Sequence, residues 1–134
     1  MIAREMFEVD AASRKLGIEL IELSPGHARM SMVVTEDMVN GYAITHGGYV
    51  FLLADTTFAM ACNSHGHPAV GRSCSIEYLA PALPGDVLTA SAVERSVVGR
   101  GGIYDVAVTR DADGALLAEM RGHSRQVAPA PGTA

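Results

Sequence analysis

A single carboxylate interrupts the most apolar stretch of the chain, residues 50–62. Asp55 is its only charged residue, and the polar residues Thr56 and Thr57 follow directly. An ionised carboxylate in apolar surroundings is costly unless it is paired, hydrogen-bonded or raised in pKa. A raised pKa suits a carboxylate to act as a general base or a nucleophile near neutral pH. A structural hydrogen bond, made across an interface, explains the residue equally well, and both interpretations stay open.

The tripeptide His46-Gly47-Gly48 lies just before this stretch, where a helix would begin. Free N–H groups at a helix start attract an oxyanion or a polarised carbonyl oxygen. Glycine also lets a substrate approach the backbone closely. The pattern therefore predicts that Gly47 polarises a carbonyl group, although a tight turn is the commoner role of a Gly-Gly pair. For His46, a cap or loop hydrogen bond is a simpler role than general base.

The spacing of these residues makes a geometric demand. Gly47 and Asp55 are eight residues apart, which is about 12 Å along a helix axis and a turn of roughly 80° around it. A reacting carbonyl should lie about 3 Å from both its polarising donor and its base, which one subunit cannot provide. If both residues act, we expect Asp55 from a neighbouring chain, with two antiparallel helices side by side across a twofold axis.

The elements that position these residues follow from the hydrophobic pattern. Residues 3–16 predict a helix capped by Gly17, and the length and alanine content of residues 50–62 predict a second helix. Strands are predicted at 17–23, from His27 onward, and at 69–79, 87–98, 103–110 and 116–127. Short turns favour antiparallel neighbours, so a single sheet should pack against the apolar helix. Because that helix is apolar nearly all round, we expect a second subunit to cover what the sheet leaves open.

Length and composition restrict the class of protein. With 134 residues and a net charge of −5, the chain fits one domain at residues 1–127 with a frayed tail at 128–134. The acidic balance argues against a nucleic-acid surface, and no window is apolar enough for a membrane span. The first fifteen residues lack the apolar core of a secretory signal. Cys62 and Cys74 fit free thiols in a reducing cytoplasm.

Two other chemistries are weighed and set aside. The spacing of Cys62, His65, His67 and Cys74 matches no familiar zinc pattern, so we expect no metal and no cofactor. A nucleophilic role for Cys62 is disfavoured because an apolar segment opposes the thiolate.

An ordered set of short motifs resembles a known family. None of them is specific alone, but together they span almost the whole chain without a large insertion. They are Asn40-Gly41, His46-Gly47-Gly48, Leu53-Ala54-Asp55-Thr56, Tyr78-Leu79-Ala80-Pro81-Ala82, Gly85-Asp86-Val87-Leu88 and Arg121-Gly122-His123-Ser124. The set resembles the phenylacetate-degradation thioesterases of the PaaI type, within the hotdog superfamily.

The resemblance implies an α+β hotdog fold, in which a curved antiparallel sheet wraps around one long central helix. It implies hydrolysis of aryl- or hydroxyaryl-acetyl-CoA thioesters by a homo-oligomer, a dimer or tetramer, with active sites at the dimer interface. By motif position, Asp55 matches the catalytic carboxylate and Gly47 the amide that polarises the thioester carbonyl. Asn40 matches a polar residue of the opposing wall that orients the attacking water or the carboxylate.

Five further residues are predicted to contact substrate. His46, Gly48 and Thr56 flank the two key positions, and Arg95 and Arg100 are candidates for holding the coenzyme A phosphates. Exposed strand arginines that only keep a protein soluble are the default interpretation of the last two.

Two alternative functions use the same fold. An acyl-CoA hydratase or dehydratase needs an Asp/His pair for proton transfer, and His46 lies nine residues before Asp55. A non-catalytic acyl-CoA-binding module is compatible with the fold as well.

Overall fold

The computed structural model describes residues 2–128. Of the tail predicted at 128–134, all but the first residue lies outside the described residues. The elements in chain order are α1 (Ile2–Glu8), α2 (Ala11–Lys15), β1 (Glu19–Ser24), β2 (His27–Val33), a 3₁₀ turn (Glu36–Met38), α3 (Gly47–Cys62), β3 (Ala69–Tyr78), β4 (Val87–Val98), β5 (Gly101–Arg110) and β6 (Leu116–Gln126).

The six strands form one antiparallel sheet that surrounds α3. Their order is β1-β2-β4-β5-β6-β3, with every pair antiparallel, and α3 contacts all six strands. The strand predicted from His27 onward is confirmed, and one of its faces is buried: Ala28, Met30 and Met32 are all at most 1% exposed. This arrangement confirms the predicted α+β fold, a sheet around one long helix.

Phe58 sets the position of α3 against the sheet. Its side chain is 1% exposed, and its ring lies 5.6 Å from the Tyr104 ring, centroid to centroid. A Cβ atom added at Gly122 would lie 2.8 Å from Cζ of Phe58, and one added at Gly71 would lie 3.0 Å from Cε2. Two strands thus leave a hollow without side chains that the ring fills. The helix that begins at residue 47 is held there by this contact.

The N-terminal segment differs from the prediction. Instead of one helix over residues 3–16, two short helices are separated at Val9 and Asp10, and Val9 is 82% exposed. Asp10 caps α2 by accepting a hydrogen bond from the backbone N–H of Ser13 at 3.0 Å. Aspartate is a strong N-cap, so it starts a new helix here. Gly17, with φ of 71°, ends the segment as predicted.

The two N-terminal helices pack against α3 and cover part of the surface that the sheet leaves open. The Ser13 side chain is buried, and its hydroxyl lies 2.8 Å from that of Thr56. Within α3 only Gly48 and Asp55 are exposed. The chain therefore covers much of its own apolar helix, and Tyr49, Phe51 and Leu52 stay half-buried.

Candidate active site

The start of α3 presents one free backbone N–H group. His46 is the N-cap, and its Nδ1 accepts a hydrogen bond from the Gly48 N–H at 2.9 Å. This is the simpler of the two roles considered for His46, and it occupies the Gly48 amide. Within residues 2–128, the Gly47 N–H has no hydrogen-bond partner. Because the first N–H groups of a helix lack intrahelical acceptors, Gly47 can donate to a bound carbonyl oxygen.

A cavity of about 410 Å³ opens beside this amide, and most of its lining residues are apolar. They are Asn40, Ile44, Thr45, Gly47, Val50, Tyr78, Leu79, Ala80, Pro81, Ala82 and Leu117. The structure thus places Asn40 and Gly47 on the lining of one cavity. The Asn40 Oδ1 accepts from the Tyr42 N–H at 2.8 Å, and its Nδ2 donates to no described residue. A free amide N–H₂ and a free backbone N–H therefore border the same mostly apolar space.

Asp55 lies elsewhere on α3, outside this cavity. Its side chain is at an exposed position in the single chain, although the segment around it is apolar in sequence. Its carboxylate accepts no hydrogen bond from the described part of the chain. Partial desolvation by the surrounding protein raises the pKa of Asp55, and the negative charge of Asp10 raises that pKa further. The group is therefore unpaired and easier to protonate than an ordinary aspartate.

A hydrogen-bonded chain connects the N-terminal segment to the residue after Asp55. The Ser13 hydroxyl donates to Oδ2 of Asp10 at 2.6 Å and lies 2.8 Å from the Thr56 hydroxyl. Thr56 is 8% exposed, so its hydroxyl serves this internal contact. Sequence reasoning missed Asp10, although aspartate is among the residues most favoured at a helix N-cap.

The two arginines proposed for coenzyme A lie apart from the Gly47 cavity. Arg95 donates from Nε to Asp105 at 2.9 Å, and Arg121 donates to the same carboxylate at 2.8 and 2.9 Å. These hydrogen bonds lower the pKa of Asp105 to about 2, and the bonds from Arg121 have the largest effect. Arg100 is exposed in the turn between β4 and β5. A phosphate-binding role for Arg95 and Arg100 stays a prediction.

The other candidate chemistries have little support in the described residues. Both cysteines are free, and burial raises the pKa of the Cys62 thiol to about 12. Over residues 2–128, no group of three or more His, Cys, Asp or Glu side chains is arranged to hold a metal ion. No helix in the same range has the length and apolarity to cross a membrane.

The chain is similar in sequence and in fold to known proteins. The acyl-coenzyme A thioesterase PaaI of Escherichia coli is 42% identical over 125 residues, 93% of this chain and 89% of that protein. The structure of E. coli PaaI, from the phenylacetic acid degradation operon, superposes with a TM-score of 0.92 and 41% identity over 95% of this chain and 91% of that one.

Two further solved structures are similar. One is a mutant of the phenylacetic acid degradation protein PaaI from Thermus thermophilus, with a TM-score of 0.84 and 34% identity over 88% of this chain and 100% of that one. The other is a Streptococcus mutans protein bound to acetyl CoA, with a TM-score of 0.78 and 25% identity over 82% of this chain and 88% of that one. Residues 42–116, which contain Gly47 and Asp55, match the thioesterase superfamily. The predicted resemblance is confirmed, and the chain belongs to the thioesterase superfamily, with the hotdog fold of PaaI-type proteins.

Proposed function

We propose that this protein hydrolyses acyl-CoA thioesters of the phenylacetyl or hydroxyphenylacetyl class. One observation supports this most: an unpartnered Gly47 N–H borders a mostly apolar cavity, on a helix that also presents the unpaired Asp55. The amide stabilises the negative charge that develops on the thioester oxygen. The apolar lining suits an aryl group. The 42% identity to the acyl-coenzyme A thioesterase PaaI of E. coli, from the phenylacetic acid degradation operon, supports this substrate class.

Two groups carry the reaction, the backbone N–H of Gly47 and the carboxylate of Asp55. The Gly47 amide donates to the carbonyl oxygen while the ionised Asp55 either attacks the carbonyl carbon or removes a proton from the attacking water. Direct attack gives a mixed anhydride, which water then hydrolyses. In both routes the C–S bond breaks, the thiolate of coenzyme A leaves, and the products are a carboxylate and the free thiol. Asn40 borders the cavity and orients the water or the carboxylate.

We further propose a homo-oligomer in which Gly47 and Asp55 of one site come from different subunits. On one helix the two residues are about 12 Å apart along the axis, and only Gly47 lines the cavity. β3 is an edge strand that pairs only with β6 among the described strands, and most of its side chains are exposed. Such an edge can pair with a second copy, which would lay two α3 helices side by side. A tetramer of two such dimers rests on the resemblance alone.

Two finer points are also proposals. Arg95 and Arg100 remain the candidates for the coenzyme A phosphates, and the Streptococcus mutans relative with bound acetyl CoA supports a coenzyme A site in this fold.

The cytoplasm is the proposed location, because Cys62 and Cys74 are both free thiols, and free thiols, one of them exposed, fit a reducing compartment.

Thiol release from phenylacetyl-CoA tests the function. Replacing Asp55 by Asn should lower kcat at least about 10²-fold, since a positioned acid–base group contributes that much or more. The melting temperature should not fall, because no hydrogen bond is lost. Asp86→Asn is the matched control: Asp86 accepts from the Leu83 N–H at 2.8 Å and from Arg110 at 3.3 Å. This control should lose stability but keep its turnover per folded molecule.

The result also separates the alternatives. A binding module would retain phenylacetyl-CoA without releasing thiol, in the wild type as in the variant. A hydratase would need a histidine partner for Asp55, but His46, the N-cap of α3, lies nine residues before it, roughly 13 Å along the helix axis. If Asp55→Asn released thiol at the wild-type rate, Asp55 would have no part in the mechanism.

A further inference from the structure

The tyrosine that ends β3 lies against the first residue of α3. A Cβ atom added at Gly47 would lie 3.0 Å from Cζ of Tyr78 and 3.2 Å from both its Cε1 and Oη atoms. Such contacts are tighter than nine in ten real Cβ contacts. A side chain at position 47 would therefore need the Tyr78 ring to shift by a few tenths of an ångström.

The hydroxyl of the same tyrosine reaches the backbone of Gly47. It donates a hydrogen bond to the Gly47 carbonyl oxygen at 3.1 Å, although the Tyr78 side chain is 52% exposed and could direct its hydroxyl to water. The carbonyl and the free N–H of Gly47 flank one α carbon. A ring packed against that carbon and a bond to that carbonyl therefore restrict the direction of the N–H.

We propose that Tyr78 is a positioning residue, which acts through Gly47 to aim its free N–H into the cavity where the thioester carbonyl binds. The proposal rests on the proposed function and deepens it. A preorganised donor stabilises developing charge without reorganisation during the reaction, and small misplacements of such a group lower the rate steeply. Tyr78 lines the same cavity, so its side chain forms part of the cavity wall and also holds the backbone of Gly47 beside it.

Removal of the hydroxyl tests the hydrogen bond. We expect Tyr78→Phe to lower kcat for phenylacetyl-CoA about 3- to 10-fold, less than the 10²- to 10³-fold typical of losing the donor itself. KM should stay within about twofold, because the lost interaction serves the transition state. Tyr42→Phe is the matched control, since Tyr42 is 88% exposed and its hydroxyl contacts no described residue; its kcat should not change. A wild-type kcat in Tyr78→Phe would overturn the role of the hydrogen bond.

A double variant tests the ring contact. Gly47→Ala brings a Cβ atom to 3.0 Å from Cζ of Tyr78, so the ring must shift, and we expect a loss of kcat/KM. In Gly47→Ala with Tyr78→Ala the space is free, so kcat/KM should recover several-fold relative to Gly47→Ala alone. A double variant no better than Gly47→Ala would overturn the steric part of the proposal.

Melting temperatures of the same variants separate this proposal from the proposed function. The steric contact predicts that Gly47→Ala lowers the melting temperature and that adding Tyr78→Ala restores part of the loss. A wild type that releases no thiol from any acyl-CoA would refute the proposed function, and the positioning role with it, whether or not this coupling appears. An active wild type without the coupling would refute only the contact between Tyr78 and Gly47.

Discussion

Adding one methyl group at Gly122 should displace the helix that carries the site. The new Cβ atom would lie 2.8, 2.9 and 2.9 Å from three atoms of the Phe58 ring, and that ring is 1% exposed with Tyr104 packed beside it. Because the ring has no free space to enter, we expect the upper part of the usual overpacking cost, about 2–3 kcal/mol. For a chain of this length that is a fall in melting temperature of roughly 5–15 °C.

Differential scanning fluorimetry at one fixed protein concentration measures this fall, since oligomer stability depends on concentration. Gly101→Ala is the matched control, because a Cβ there would lie 3.7 and 3.8 Å from the nearest carbonyl oxygens, an ordinary contact. Its melting temperature should stay within about 2 °C of the wild type or rise slightly. Adding Phe58→Leu to Gly122→Ala should recover part of the loss. Equal melting temperatures for Gly122→Ala and Gly101→Ala would refute the claim that the packing of Phe58 against Gly122 positions α3 on the sheet.

Two further predictions concern charge. The negative charge of Asp10 adds to the effect of desolvation and raises the pKa of Asp55, which must be ionised to act. Asp10→Asn should therefore move the acidic limb of the pH profile of kcat/KM to lower pH. An acidic limb that stays in place or moves to higher pH would contradict this. Asp105 has its pKa lowered from 3.8 to about 2 by Arg121 and Arg95, so its stabilisation is present above 3.8 and lost as pH falls through 2. Asp105→Asn should therefore cost up to ~1 kcal/mol at neutral pH, with a gap in melting temperature that closes near pH 2; a gap that persists there would count against the ion pair.

Local signals in the sequence are sufficient to predict most of the helices and strands. The bounds of β4 agree with the prediction for residues 87–98, and the alternation after His27 follows from one buried face. β5 begins earlier than predicted, at Gly101. Glycine has low strand propensity, but here it pairs with both β4 and β6, so tertiary pairing outweighs the local preference.

The site could be predicted only where it depends on neighbours in the chain. The helix start at Gly47 and the lone acid at Asp55 are visible in the sequence. The contact of Tyr78 with Gly47 is not, because it joins residues 31 apart that meet only when β3 reaches the edge of the sheet. The exposure of Asp55 in the single chain is hidden in the sequence for a similar reason. An apolar segment does not reveal which of its positions the sheet and the N-terminal helices leave open.

Mixed oligomers test most directly whether one active site needs two subunits. Chains with Asp55→Ala and chains with Gly47→Ala are each expected to have little activity. In purified heterodimers of the two, one of the two sites has an intact Gly47 from one chain and an intact Asp55 from the other. By symmetry, that should restore about half of the wild-type activity. Verified heterodimers no more active than either parent would contradict the shared site.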